Sequence, residues 1–509
     1  MRILIKRKWL IYGKAILKVK MVLSKRIIAR LDLKGNKLIK GIRFEGLRVI
    51  GDPYEAAIKY FNNGADEILY LDAVASLYGR NSLKEVLRKT CKEIFIPITA
   101  GGGIRSLDDV TNLLSAGADK LAINTAAVEN PNLIKEISDT YGSQCIVISI
   151  QARRNQDKNF WEVMTCAGRE KTGKNVIDWI IESQKMGAGE ILLTSIDKDG
   201  TCLGPDIELI DEVNKIIEIP LIIGGGFAKE IQVQNVINSP KVSGISIGTA
   251  LHKEIINLPS LKNFLIKKCI NLRSNNLIKN DILKNNLENI KIGIINYGMG
   301  NQQSLINALQ YLGADILLSN NISELDNMDI LALPGVGSFP EGINKLKSYN
   351  LDIFIKNKSL KGFPLIGICL GMQILFNKGE EFIPTPGLGL INGEVKLLPK
   401  YNNKNEKVKL PHIGWNLIER KNADINFKKA YQYFVHSYAV DAKDNQNNKI
   451  LYTSKYADKE FIASIRYRNT VGFQFHPERS GLDGLSILKD TILELVNSYK
   501  EIKHEKKNN

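Results

Sequence analysis

The chain is poor in the residues that staple or metallate small folds. Its 509 residues include six cysteines (Cys91, Cys145, Cys166, Cys202, Cys269, Cys369), none in a Cys-x-x-Cys pair, and five histidines at no metal-ligand spacing from them. A disulfide framework and a metal site are therefore not expected, and the cysteine usage is that of a reducing, cytoplasmic compartment. No stretch approaches the ~18 uninterrupted apolar residues that a membrane span requires. Acidic charge is also in deficit, 54 Asp and Glu against 70 Lys and Arg, for a net +16. The lysines are scattered among Asn and Ile, so the surplus reads as a solvated surface, with no nucleic-acid or membrane partner. The first 22 residues are basic and lack acids, but lysine interrupts their apolar residues too often for a signal-peptide core. A dispensable extension, or translation from an upstream start codon, is expected there.

What is present is the composition of a globular enzyme, 44% hydrophobic with 41 glycines, and a length that predicts two domains of about 200 to 250 residues each. Over residues 23–272, eight short apolar runs alternate with helix-compatible stretches or Gly-rich loops, from R-I-I-A-R-L-D (26–32) to G-I-S-I-G (244–248). Runs that are apolar on both faces suit parallel strands covered by helices, and eight such units predict a (β/α)8 barrel. The region also repeats itself. G-G-G-I (101–104) returns as G-G-G-F (224–227), I-N-T-A-A (123–127) as I-G-T-A-L (247–251), and G-A-D-E-I-L (64–69) as G-A-G-E-I-L (187–192). Their common spacing predicts two half-barrels in tandem. Residues 273–290 read as an Asn/Lys-rich linker, 291–499 as a second α/β domain, and 500–509 as a charged, disordered tail.

In the second domain, F-P-L-I-G-I-C-L-G-M-Q (363–373) runs an apolar strand into Gly-x-Cys-x-Gly and then a helix. Flanking glycines permit a sharp turn, and a helix N-terminus favours a thiolate, so Cys369 is a candidate nucleophile. In V-G-F-Q-F-H-P-E-R-S (471–480) a histidine, His476, stands two residues before an acid, Glu478, which can orient it. In the barrel, Gly-rich turns after strands can cradle phosphate through backbone amides. Gly103, Asn124 and Thr125 would form one cradle, and Asp199, Gly200, Gly226, Gly248 and Thr249 the other. Two cradles on one face imply a doubly phosphorylated substrate, with a phosphate at each end.

The C-terminal motifs resemble the class I, triad-type glutamine amidotransferases, which release ammonia from L-glutamine through a thioester. Together N-Y-G-M-G-N, P-G-V-G-S-F, G-I-C-L-G-M-Q, P-H-I-G-W-N, F-V-H-S-Y and G-F-Q-F-H-P-E resemble the glutaminase subunit of imidazole glycerol phosphate synthase. The resemblance implies Cys369 as nucleophile, His476 as general base and acid, and Glu478 as its orienter. It further implies that the loop 333–339 supplies oxyanion N–H groups, and that Gly335, Gln373, Glu381, Ser437 and Tyr438 hold glutamine. The barrel, from K-R-I-I-A-R-L-D through N-T-A-A-V-E-N-P to L-L-T-S-I-D-K-D-G-T, resembles the cyclase subunit of the same synthase. That implies Asp32 as essential acid/base and Lys40 as a mobile active-site lysine, with Asp72 and Ser76 on the same face. Arg26, Glu67, Lys120 and Glu190 match the family's ammonia gate. No cofactor is implied, and a separate glutaminase chain is not required.

Three features depart from the family pattern. The second acid/base aspartate, on the fifth strand, is Gln151 here, and an amide carries no proton near neutral pH. The barrel precedes the glutaminase, whereas fused relatives place the glutaminase first. R-L-D (30–32) and D-A-V-A-S (72–76) stand where C-L-D and D-I-T-A-S are usual. The expectation is a bifunctional imidazole glycerol phosphate synthase. The alternatives are a diverged paralogue that delivers ammonia to another acceptor, such as a nucleotide-linked sugar for surface polysaccharide, and a barrel that only binds a phosphate ligand and gates the glutaminase.

Overall fold

The computed structural model describes residues 23–75, 83–273, 283, 286–421, 430–444 and 449–508. The extension 1–22, Ser76 and most of the predicted linker lie outside these residues. The eight apolar runs become eight parallel strands: β1 (Arg26–Lys34), β4 (Glu67–Asp72), β5 (Ile98–Gly101), β6 (Lys120–Ile123), β7 (Ile146–Asn155), β10 (Glu190–Ser195), β11 (Leu221–Gly224) and β12 (Val242–Ile247). Each pairs in parallel with its neighbours, and β12 returns to β1, which closes the barrel. Side chains alternate along a strand, so Arg26, Ile28, Arg30 and Asp32 share the inward row of β1. Ile28 packs with Leu69, Ala122, Val147, Leu192 and Ile222 in an apolar ring drawn from six strands. Layers of this kind fill a barrel of eight strands.

Two hairpins were not anticipated. β2 (Lys37–Ile42) and β3 (Glu45–Gly51) extend β1, and β8 (Phe160–Thr165) and β9 (Glu170–Asn175) extend β7. They occupy equivalent places in the two halves, so the tandem repeat extends to them. Gln151, taken from sequence as a strand end, therefore lies within a ten-residue strand, opposite Met164 of β8. Asp32 is placed in the same way, opposite Ile39 of β2.

The second domain is built on a nine-stranded sheet. Five strands are parallel: Asp315–Ser319, Lys291–Ile295, Ile330–Leu333, Leu365–Ile368 and Thr470–Phe473. Four antiparallel strands complete it: Lys459–Tyr467, Lys449–Tyr456, His412–Arg420 and Ala430–His436. The last two pack on the N-terminal end of the barrel, where Ile413, Trp415, Tyr433 and Val435 join the barrel's own hydrophobic core. Trp415 Nε1 donates to the Asp66 carbonyl at 3.0 Å, and Arg273 stacks on the Trp415 ring.

Two boundaries differ from the sequence reading. At the edges of the predicted linker the chain is anchored: Arg273 pairs with Asp66 at 3.0 Å, and Leu283 and Leu287 are buried in the second domain. The tail expected to be disordered continues a helix, Gly481–Asn508, which is exposed over residues 500–505.

Candidate functional site

In the C-terminal domain, Cys369 directly follows the central strand Leu365–Ile368 and caps the helix Leu370–Ile374. Its φ is +53°, a left-handed conformation that is strained for a residue with a side chain. The flanking glycines make this turn possible. A Cβ on Gly371 would lie 1.8 Å from the Leu333 carbonyl oxygen, and one on Gly367 would lie 2.8 Å from that of Gly371. The parallel neighbour Thr470–Phe473 leads into His476, whose Nδ1 lies 2.7 Å from Glu478 Oε1. Burial disfavours a charged imidazole, but Cys369 and Glu478 together outweigh it and raise the pKa of His476 well above the ordinary value. Among the described residues, His476 Nε2 and Glu478 Oε2 are buried and carry no further hydrogen bond.

Around this centre Gln373 Nε2 donates to the Tyr438 carbonyl at 2.8 Å and to Gln474 Oε1 at 3.1 Å. Glu381 accepts from the Phe339 N–H at 2.7 Å, and burial pushes its carboxyl up to about 7. The Ser437 carbonyl receives the Leu398 N–H, which fixes the Ser437–Tyr438 turn. In the loop 333–339, the Gly335 carbonyl accepts from the Leu370 N–H at 3.3 Å.

In the barrel, one large cavity opens at the C-terminal strand ends and is lined by Asp32, Lys40, Asp72, Gly103, Asn124, Thr125, Gln151 and Asp199, among others. A smaller adjoining one is lined by Gly200, Gly226, Gly248 and Thr249. Asp199 also borders the second cavity, but its carboxylate is committed elsewhere, to Lys40 Nζ at 3.0 Å and Arg30 at 3.7 Å. Asp32 accepts from Lys40 Nζ at 2.6 Å and from Arg30 Nε at 2.7 Å. Burial opposes its ionisation, yet Arg30 and then Lys40 hold its carboxyl well below the usual carboxylate range. Among the described residues, Gln151 Oε1 is buried without a hydrogen-bond partner.

At the opposite end of the barrel, Arg26, Glu67, Lys120 and Glu190 interlock beneath the apolar ring and are fully buried. Arg26 pairs with Glu67 at 2.9 Å and with Glu190, and Lys120 with Glu67 at 2.8 Å and Glu190 at 2.6 Å. Among the residues that sequence reasoning passed over, Arg479 follows Glu478 directly and is almost wholly buried. It binds Asp119 at 2.9 Å, the Gly117 carbonyl at 2.6 Å and Ser304 Oγ at 2.5 Å, which ties the His476 turn to the barrel. Its place beside H-P-E was the available signal. Arg30 was visible only as a departure from a family pattern.

A thiol on an elbow, seated beneath a barrel with its own polar cavity, is the layout of a glutamine amidotransferase coupled to an ammonia-using enzyme. The comparisons with known proteins agree. Residues 26–257 match the family model described as histidine biosynthesis protein, and residues 293–495 match glutamine amidotransferase class-I. The barrel is 57% identical over 204 residues to the imidazole glycerol phosphate synthase subunit HisF of Legionella pneumophila, an alignment that covers 40% of this chain and 96% of that protein. It is 44% identical over 252 residues to HisF of Natranaerobius thermophilus (50% of this chain, all of that protein), and 46% identical over 251 residues to HisF of Sulfurisphaera tokodaii (49% and 99%). The chain belongs to the imidazole glycerol phosphate synthase family, with a HisF-type cyclase barrel joined to a class-I glutamine amidotransferase domain.

Proposed function

We propose that this chain is a bifunctional imidazole glycerol phosphate synthase of histidine biosynthesis. Cys369 attacks the glutamine amide carbon, and His476, oriented by Glu478, protonates the departing ammonia. Water then hydrolyses the thioester to glutamate. Gln373, Glu381 and the Ser437–Tyr438 turn hold the substrate, and Gly335 lies in the loop facing it. Ammonia passes the Arg26–Glu67–Lys120–Glu190 gate into the barrel. There it joins the ribulosyl aminoimidazole carboxamide nucleotide, giving imidazole glycerol phosphate and the aminoimidazole carboxamide ribotide. Asp32 is the acid/base residue and Lys40 its hairpin-borne partner. Gly103, Asn124 and Thr125 cradle one phosphate, and Gly200, Gly226, Gly248 and Thr249 the other.

Gln151 cannot move a proton, and its unpartnered Oε1 serves as an acceptor for a substrate N–H or O–H. The observation that carries the reading is the junction: the turn bearing His476 is tied through Arg479 to Asp119, the residue next to Lys120 of the gate. The names of the barrel's relatives favour this acceptor over a nucleotide-linked sugar.

The test is turnover of the nucleotide by the purified chain with glutamine or with ammonium salt. Cys369→Ala is expected to lose glutamine-dependent product by on the order of 10⁴-fold or more while keeping the ammonia-dependent reaction. No imidazole glycerol phosphate from either nitrogen source would sink the proposal.

A further inference from the structure

Arg30 lies on the inward row of β1, one step beyond the apolar ring that contains Ile28 and one step before Asp32. Its guanidinium reaches three groups: Asp32 at 2.7 Å, Thr194 Oγ1 at 3.3 Å and Asp199 at 3.7 Å. Thr194 stands directly across from Gln151 in the β7–β10 ladder. A Cβ at Gly224 would lie 3.8 Å from the guanidinium, an ordinary contact. Phe44, from the turn between β2 and β3, covers it at 5.4 Å.

The contrast with Lys40 is instructive. Both cations bind Asp32, but Lys40 belongs to the hairpin, whereas Arg30 belongs to the barrel wall. Without Arg30, Lys40 would be a single cation between two carboxylates, Asp32 and Asp199. With it, the cluster is balanced. The charged or titratable groups facing Asp32 are Arg30 from β1, Lys40 from β2, Asp199 from the loop after β10, and His252 from the segment after β12, whose imidazole burial lowers to about 4. Asp72 of β4 lines the same cavity, while β7 contributes the uncharged Gln151.

We propose that Arg30 is a positioning residue of the barrel reaction, which keeps Asp32 oriented and ionised from the barrel wall, so that this barrel works with one central carboxylate where two are usual. The proposal rests on the barrel being the synthase's cyclase site. One bidentate-capable cation on a rigid strand fixes a carboxylate more tightly than a lysine on a flexible stem.

The decisive measurement is a ¹³C NMR titration of the Asp side-chain carboxyls in the full chain, with the Asp32 signal assigned by its loss in Asp32→Asn. In the parent, that signal is expected not to titrate above about pH 4. In Arg30→Ala it is expected to titrate at least about one unit higher, with Arg30→Lys recovering most of the shift and Lys40→Ala moving it less than Arg30→Ala does. Ammonia-dependent turnover would then gain an acid limb in Arg30→Ala, with kcat falling about tenfold and the KM for the nucleotide nearly unchanged. An Asp32 signal that is unmoved in Arg30→Ala, or moved only by Lys40→Ala, would overturn the proposal. A parent chain without turnover would count against the cyclase reading instead, and the titration would still judge Arg30. Thermal unfolding of each variant separates misfolding from a true shift.

Discussion

The two proposed reactive centres aim their key side chains by opposite means. Cys369 is aimed by its backbone: a left-handed φ held between two glycines that admit no Cβ, at the end of a central strand. Asp32 lies in ordinary extended strand and is aimed by charge, gripped by Arg30 and Lys40. A nucleophile that must meet a carbon at a fixed angle benefits from rigid placement. A proton carrier needs its ionisation controlled, which neighbouring charges do directly. Substitution and pH therefore act differently on the two sites.

The comparison is tested most severely at Gly371. Gly371→Ala is expected to lower glutamine-dependent turnover by about 10²-fold or more, because the added Cβ displaces the elbow, while the ammonia-dependent rate holds. Equal rates with glutamine would show that the elbow tolerates movement. Next in size is the junction between the sites. Asp119→Ala leaves Arg479 buried without its carboxylate, and a broken buried pair costs about 3–5 kcal/mol, measurable by urea unfolding.

A smaller effect is expected from pH at the charge-built end. Arg26 and Lys120 outweigh burial and hold Glu190 down at about 2, against an ordinary value of 4.5. A depressed carboxyl contributes stability that is complete above the ordinary value and is lost as pH falls through the folded one. Unfolding midpoints are thus expected to drop between about pH 4.5 and 2, and to drop less steeply in Glu190→Gln. The smallest expected effect is at Glu381, which burial raises to about 7. Its charged form is the one suited to a substrate ammonium, so the KM for glutamine is expected to fall a few-fold as pH rises through about 7. A flat KM profile in the parent would remove Glu381 from glutamine binding.

Much of the architecture was legible because its signals are local. Eight apolar runs specified eight buried strands, and glycines flanking Cys369 specified an elbow. The hairpins escaped notice because K-L-I-K-G-I and E-K-T-G-K-N are short, polar and stabilised by pairing with strands outside their own segment. The tail was misjudged for a related reason: its charge suggested disorder, yet it only prolongs a helix begun on buried residues such as Leu485 and Leu488. Arg30 and Arg479 were illegible in a deeper sense. Arg30 has Asp32 two residues on, but its contacts with Thr194 and Asp199, like that of Arg479 with Asp119, span more than a hundred residues. Sequence spacing carries no trace of such contacts.

The shared core at the base of the barrel has a consequence for supply. Ile413, Trp415, Tyr433 and Val435 complete the barrel's hydrophobic cluster, so the base of the barrel is finished by side chains of the other domain. With both domains on one polypeptide, every translated barrel brings its own cap. The stoichiometry of ammonia source to ammonia consumer is then one to one at any level of expression.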